Sequence, residues 1–582
     1  MEKIYLYQLK EEKTARSYDE AFAAAAMQGL VNREGARVYL VCADDEAHRT
    51  GQPGYDVFGA SVDRPRAAPW FWLDKMSEEG RWLSGRERVM LKSIDDLYEL
   101  AKPYLRGIVL WDPAVPATVN VATTAAGVEN LLPMTAEFYE TFGKKTGLPV
   151  LLDLCGKFDG SRSGSRKVDA YLWAIETYLE KGRCSEYLVG NFNDSWRSRD
   201  LGWTTYVLER DRFVNEKAFC FELSPWDTFA PEDDPGEPLG VEKETLLRIF
   251  RTVFTLSGGK HMTEFCGFFN WKKLEKGQTN GVLSEWEQVW LMTPYNFYQN
   301  TVTNDVYNQS FHKWAPKKDL KQGRPKEKKE LENKVYICMQ VCDMDSTTPL
   351  YDTMIGLWHD PRRGELPLAW GLNPNLSGVF PDLFEYFYDT KTEGDYFCAD
   401  ASAAGYFNPV VLPPENWEAV VKHCKYWYDH TDMTISGMVL DVDHPTSTVL
   451  KNYAKFSPDG FSSLVSNYHG GKNLRLDRQV VNGMPLSYMT LAVCDWLGSP
   501  EKTAEALSGW YLKEMSPNRP EFLYYRLCYR SPGEMFDLFY ELQKQNPGLT
   551  LEMVDPYTYF DLVKQDCVKR APVFHTLRYD ND

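Results

Sequence analysis

Six carboxylates in this sequence follow apolar runs and open polar turns: Asp343 and Asp345 in "CDMDS", Asp400 in "ADASAAGY", Asp441 and Asp443 in "DVDHP", and Asp555 in "VDPYT". Two chemistries use residues of this kind. Glycoside hydrolysis needs two carboxyl groups across the scissile bond, one protonated as general acid and the other acting as nucleophile or as base for water. On that reading Asp343, Asp345, Asp400 and Asp441 are the catalytic candidates, and no cofactor is needed. Trp370, Asn373, Tyr406, Asn408 and His469 occupy comparable positions and are candidates for holding a carbohydrate substrate. The alternative is a divalent metal held by Asp343, Asp345, Asp443 and His444, which would activate water for carbohydrate deacetylation or phosphoester cleavage. A third reading keeps the aromatic and amide groups as a noncatalytic glycan-binding surface.

Each of these residues also has an ordinary structural use. An Asp at a strand end commonly caps the next helix or forms a turn, and "DMDST", "DVDHPTS" and "DPYT" all have that character. His444 precedes a proline and His469 precedes two glycines, so both also fit turns. With 18 Trp and 34 Tyr in the chain, most aromatic rings must serve packing.

The elements that would position the carboxylates repeat after residue 333. "VYICMQVCDMDS", "LPLAWGLNPN", "DYFCADASAAGY", "ISGMVLDVDHP", "FSSLVSNYHGG", "VVNGMPLSYM", "EFLYYRLCYRSP" and "TLEMVDPYTYF" are apolar runs ending in polar clusters, most of them separated by helical stretches. That rhythm predicts an irregular seven- or eight-stranded (β/α) TIM-like barrel over residues 333–582, with an open doubly wound sheet as the alternative. Either arrangement places chemistry at the C-terminal ends of the strands.

Upstream, residues 1–160 alternate β-rich runs such as "KIYLYQL", "ARVYLVC" and "GIVLWDP" with helical stretches, which predicts an N-terminal α/β domain. Residues 161–315 read as a mostly helical second segment. Residues 316–332, within "KWAPKKDLKQGRPKEKKELENK", have hardly an apolar side chain and predict a solvated, charged linker.

Composition narrows the partners. A chain of 582 residues with 43% hydrophobic content is too large for one core and should divide into two or three domains. The net charge of -18, spread along the chain, argues against nucleic acid and against an anionic membrane surface. "MEKIYLYQLKEEKTARSYDE" lacks the order of a signal peptide, so the expected location is cytoplasmic, or secreted or periplasmic if a signal has been removed. The twelve cysteines include no CxxC pair and read as buried thiols. No P-loop, HExxH or GxSxG elbow is present, which weighs against nucleotide cofactors, zincins and α/β-hydrolases.

"ASAAGYFNP" resembles the signature of the GxGYxYP family of proposed glycoside hydrolases. Ala403 stands for the first Gly, Gly405 and Tyr406 match, Asn408 replaces the second Tyr, and Pro409 matches. "MQGLVNREGARVYLV", "GIVLWDPAVPATVNVATTAAGVENLLPM" and "FELSPWDTFAPEDDPGEPLG" look like the family's N-terminal region, while "VCDMDS" and "LPLAWGLNPNL" look like the segments before its signature. The resemblance implies an N-terminal α/β portion followed by a barrel-like catalytic domain acting on glycosidic bonds. It makes Asp343, Asp345 and Asp400 the foremost site candidates. Ala403 in place of Gly demands a conventional backbone there, and Asn408 lacks the ring that would stack on sugar.

Overall fold

A computed structural model describes residues 3–10, 14–41, 68–192, 210–228, 234, 236–267, 281–301, 306, 308–344, 346–440, 445–465, 478–489 and 496–570. Contacts divide the chain into two compact units, one of Met1–Gln52, Ala60–Lys317 and Gly378–Leu383, the other of Pro53–Gly59, Lys318–Ser377 and Phe384–Asp582.

The first unit is built on short parallel sheets. Strands β1 (Lys3–Gln8), β2 (Val38–Val41) and β3 (Glu87–Met90) form one, in the order β2-β1-β3. Strands β4 (Gly107–Trp111), β5 (Leu131–Thr135) and β6 (Val150–Asp153) form a second, in the order β5-β4-β6. β5 contains Pro133, which cannot donate to a ladder, and it lies at the sheet edge where that donor is not needed. A third sheet contains β7 (Leu188–Asn191), β8 (Phe219–Phe221), β9 (Thr263–Cys266) and β10 (Phe297–Thr301) in the order β10-β9-β7-β8. The segment 161–315 carries more helix than strand among its described residues, but it also holds this parallel sheet, which makes it a further α/β layer. Its strands are only three to five residues long, too short to show a period against the flanking helices.

The second unit holds one nine-stranded sheet. Its strands are β11 (Val335–Met344), β12 (Leu368–Leu372), β13 (Asp395–Ala399), β14 (Ile435–Leu440), β15 (Gly460–Val465), β16 (Gln479–Val481), β17 (Met484–Tyr488), β18 (Glu521–Cys528) and β19 (Leu551–Met553). The order is β16-β17-β15-β14-β13-β12-β11-β18, and β19 pairs with the first three residues of β11. All pairings are parallel except β16 with β17, a hairpin turned by Asn482 and Gly483, both with positive φ. Among the described residues the path runs edge to edge and curls as half a barrel; a ladder closing it into a TIM barrel is not among these pairings.

The helix Pro556–Arg570 lies in the curl, in contact with β11 at one end and β15, β16 and β17 at the other. Tyr559 stacks edge-on against Tyr524 of β18 and shares a 2.9 Å hydrogen bond with Ser487 of β17. Strand alternation explains the seam: Tyr336, Cys338, Phe522, Tyr524, Tyr396 and Cys398 are every second residue of their strands and pack into one core with this helix. The intervening residues Val335, Ile337, Met339 and Val341 are buried as well, so β11 is apolar on both faces and reads as an unbroken hydrophobic run.

Residues 316–332 are mostly exposed, as expected of a charged linker, but the segment is anchored at a few points. Leu320 and Gln322 are buried, and the Gln322 amide bonds strand β13 through Phe397 N–H (2.7 Å) and Phe397 O (3.0 Å), as well as Asp432 O (2.8 Å). β13 and β14 share only the Ala399–Ser436 pair, so their lower ends leave backbone groups unmatched, and Gln322 supplies the missing partners. Arg324 continues the strap by pairing with Asp432 at 3.1 Å over the Tyr557 ring.

Candidate active site

Asp343 and Asp400 converge where β11, β13 and β18 end. Between Val341 and Met344, β11 gains one residue relative to β12, a bulge in which Asp343 takes φ +68. The bulge breaks the usual alternation and brings consecutive residues, Cys342 and Asp343, to the same neighbour: Cys528 of β18 lies 3.1 Å from the Cys342 sulfur and donates to Asp343 Oδ2 at 2.6 Å.

Arg526, two residues before Cys528, joins the strand ends. Its Nε donates to Asp400 Oδ1 at 3.1 Å, and its Nη2 to both Asp400 Oδ2 at 3.0 Å and Asp343 Oδ1 at 2.7 Å. Asp400 Oδ2 also accepts the Asp343 backbone N–H at 3.2 Å. Burial works against the Arg526 charge, but the facing carboxylates of Asp400 and Asp343 hold its proton on more firmly than usual. Burial likewise pushes the Cys528 thiol well up and the Cys342 thiol up to about 12.

The two carboxylates differ in access. The Asp400 side chain is 0% exposed and that of Asp343 is 29% exposed. Room for the buried one comes from its neighbours, since a Cβ on Gly371 would lie 2.7 Å from Asp400 Oδ2 and one on Gly437 would lie 3.2 Å from Oδ1. Asp400 therefore anchors Arg526 from the interior, while the Asp343 side chain is partly exposed. The shared Nη2 keeps their nearer oxygens no more than about 5.7 Å apart. Arg526 and the Cys528 thiol both donate to Asp343, which suits a nucleophile or base rather than a proton donor.

The signature loop is a buried wedge beside this cluster. Ala401 and Ser402 take φ of 50 and 86, a conformation that costs a residue with a side chain on the order of 1 kcal/mol or more and concentrates at functional sites. Ala403, in place of the signature's first Gly, does not take a positive φ. Ser402 bonds Gly437 O through its N–H at 3.2 Å and Phe407 O through its hydroxyl at 2.6 Å. Gly405 N–H donates to Asn373 Oδ1 at 2.8 Å, so Asn373 positions the loop.

Other candidates are placed elsewhere. Trp370 is fully buried, with its indole N–H on Asp395 Oδ1 at 2.9 Å and its ring against Trp358, so it forms core rather than a sugar platform. Asn408 is also fully buried, and its amide oxygen accepts Val410 N–H at 3.0 Å to cap a turn. Tyr406 is buried with 5% exposure. Asp555 accepts from Thr558 N–H and hydroxyl at 2.9 and 2.5 Å ahead of the last described helix, the capping use expected of a strand-end Asp. Asp345, Asp441, Asp443, His444 and His469 lie outside the described residues.

Arg526, Cys342 and Cys528 were not singled out by sequence reasoning. The available signal was a lone Arg within "EFLYYRLC", since a charge inside an apolar strand needs a buried counter-charge. For a divalent metal, Cys342, Asp343 and Cys528 offer donor atoms within 4.8 Å of one another. They fit a cation poorly, because Arg526 already places positive charge on Asp343 and its Nη1 lies 4.0 Å from the Cys528 sulfur.

Residues 333–564 match the family model described as "GxGYxYP putative glycoside hydrolase C-terminal domain", and residues 105–182 match "GxGYxYP_N second domain". No curated protein sequence matches. The fold is similar to the crystal structure of a "putative hydrolase" from Bacteroides thetaiotaomicron VPI-5482, with a TM-score of 0.69 and 16% identity over 97% of this chain and 95% of that one. No helix among the described residues is long and apolar enough to cross a membrane. With both its N-terminal and C-terminal regions matched, the chain belongs to the GxGYxYP family.

Proposed function

We propose that the chain is a glycoside hydrolase whose carbohydrate substrate binds over the C-terminal strand ends of the second unit, used as the rim of an incomplete β/α barrel. The observation that carries this reading is the single Arg526 nitrogen shared by the accessible Asp343 and the buried Asp400, in the domain matched by the family model. Asp343 acts as nucleophile, or as base for water. Asp400 and Arg526 hold it in place and keep its charge countered as the oxocarbenium-like transition state forms. The proton for the departing sugar oxygen comes from a separate carboxyl group, for which Asp345 and Asp441 remain the candidates. Tyr406 and His469 are the retained candidates for sugar contact.

The test is hydrolysis of a panel of oligosaccharides and aryl glycosides, followed by proton NMR so that the anomer released first is seen directly. Turnover that survives a chelator supports the carboxylate mechanism. Turnover abolished by chelator and restored by a divalent ion would favour the metal reading, with Asp343, Asp345, Asp443 and His444 as its ligands.

A further inference from the structure

We infer that Cys342 and Cys528 form an oxidisable pair beside the candidate site, which a peroxide closes into a disulfide, stripping Asp343 of its thiol donor. The two residues are directly paired in the parallel ladder of β11 and β18. Adjacent strands run about 4.8 Å apart, inside the roughly 4.4 to 6.8 Å Cα range that a disulfide spans. Both sulfurs face the same side and stand 3.1 Å apart, so bond formation needs an approach of only about 1 Å. The carboxylate of Asp343 lies 2.6 Å from the Cys528 sulfur and is partly exposed, which gives a small oxidant a way to an otherwise buried pair.

The chemistry balances with hydrogen peroxide as oxidant. The Cys528 sulfur takes one peroxide oxygen to become a sulfenic acid, releasing the first water. Cys342 then attacks that sulfur, the S–S bond forms, and the oxygen leaves as the second water. Two thiols lose two hydrogens and two electrons, and one peroxide is reduced. The thiol hydrogen that bonded Asp343 Oδ2 is gone in the product, so the carboxylate keeps Arg526 as a donor and loses Cys528. Burial pushes both thiols up, so the reactive thiolate is scarce, oxidation is slow, and the pair stays reduced until oxidant is supplied.

The consequence for turnover rests on Asp343 being the catalytic carboxylate, whereas the crosslink does not, so the two are read separately. The full chain is treated with hydrogen peroxide, quenched, unfolded, alkylated and digested for mass spectrometry. The expected result is a peptide joining Cys342 to Cys528, with two fewer alkylated thiols and full reversal by dithiothreitol. In Cys342→Ser, Cys528 should instead proceed to sulfinic acid; if that variant fails to fold, Cys528→Ser should leave Cys342 alkylatable. Recovery of both cysteines as free thiols after peroxide has oxidised exposed methionines would overturn the inference. So would over-oxidation of Cys528 in the wild type with no linked peptide. On any glycoside that is turned over, the crosslinked form should be slower and should recover with dithiothreitol; unchanged turnover with the crosslink present would refute the effect on Asp343.

Discussion

Arg526 ties two carboxylates to one buried cation, and removing it would leave Asp400 charged and unpaired in the interior. Arg526→Met should therefore destabilise the protein by about 3 to 5 kcal/mol, measured by urea unfolding. Arg526→Lys keeps the charge but cannot reproduce the two-nitrogen grip on Asp400, so it should retain more stability than Met and still lose turnover. At this scale the sequence was only partly legible. Asp343 and Asp400 follow visible apolar runs, and the structure brings them together through Arg526. Trp370 and Asn408 have types that suit sugar binding, but burial decides their use, and burial depends on which face of a strand or loop meets the core. Arg526 was obscured because its partners lie more than 100 residues away, at |i−j| of 126 and 183.

All eight apolar runs of the C-terminal region fall on strands, because they are largely buried and carry the β-branched and aromatic residues that fit a pleated surface. The departures have local causes. "VVNGMPLSYM" is two strands, since Asn482 and Gly483 favour a tight hairpin turn. The bulge in β11 has no sequence signature in one chain, yet it aims Asp343. Closure of the sheet likewise depends on pairing between strands far apart in sequence, which periodicity does not encode. Two glycines give a contrast that isolates the site from general packing. In Gly371→Ala the new Cβ meets Asp400 Oδ2 and Gln340 Nε2, whereas in Gly460→Ala it meets the Phe560 ring at 2.3 Å. Both should lose roughly 1 to 3 kcal/mol in thermal or urea unfolding. Gly371→Ala should in addition lower turnover under conditions where both variants remain folded; equal loss in the two would detach the Asp400 cradle from activity.

Across the whole molecule, the two units carry independent physical tests. In the first unit, Asp211 is fully buried, and burial drives its carboxyl up to about 7 against the opposing Ser310 N–H. With an unfolded value near 3.9, its contribution is complete below about pH 4 and is lost as pH rises through about 7. Relative to Asp211→Asn, the wild-type melting temperature should fall between pH 5 and pH 8; a constant difference would show that Asp211 does not titrate in this way. In the second unit, the central claim is that Asp343 performs chemistry on a glycosidic bond while Asp400 and Arg526 hold it. Its most direct test is sugar release by wild type and by Asp343→Asn, with folding checked by unfolding midpoint. The account predicts turnover by the wild type and a loss of roughly 10² to 10⁴-fold in a folded Asp343→Asn. Equal turnover in the two proteins would contradict it.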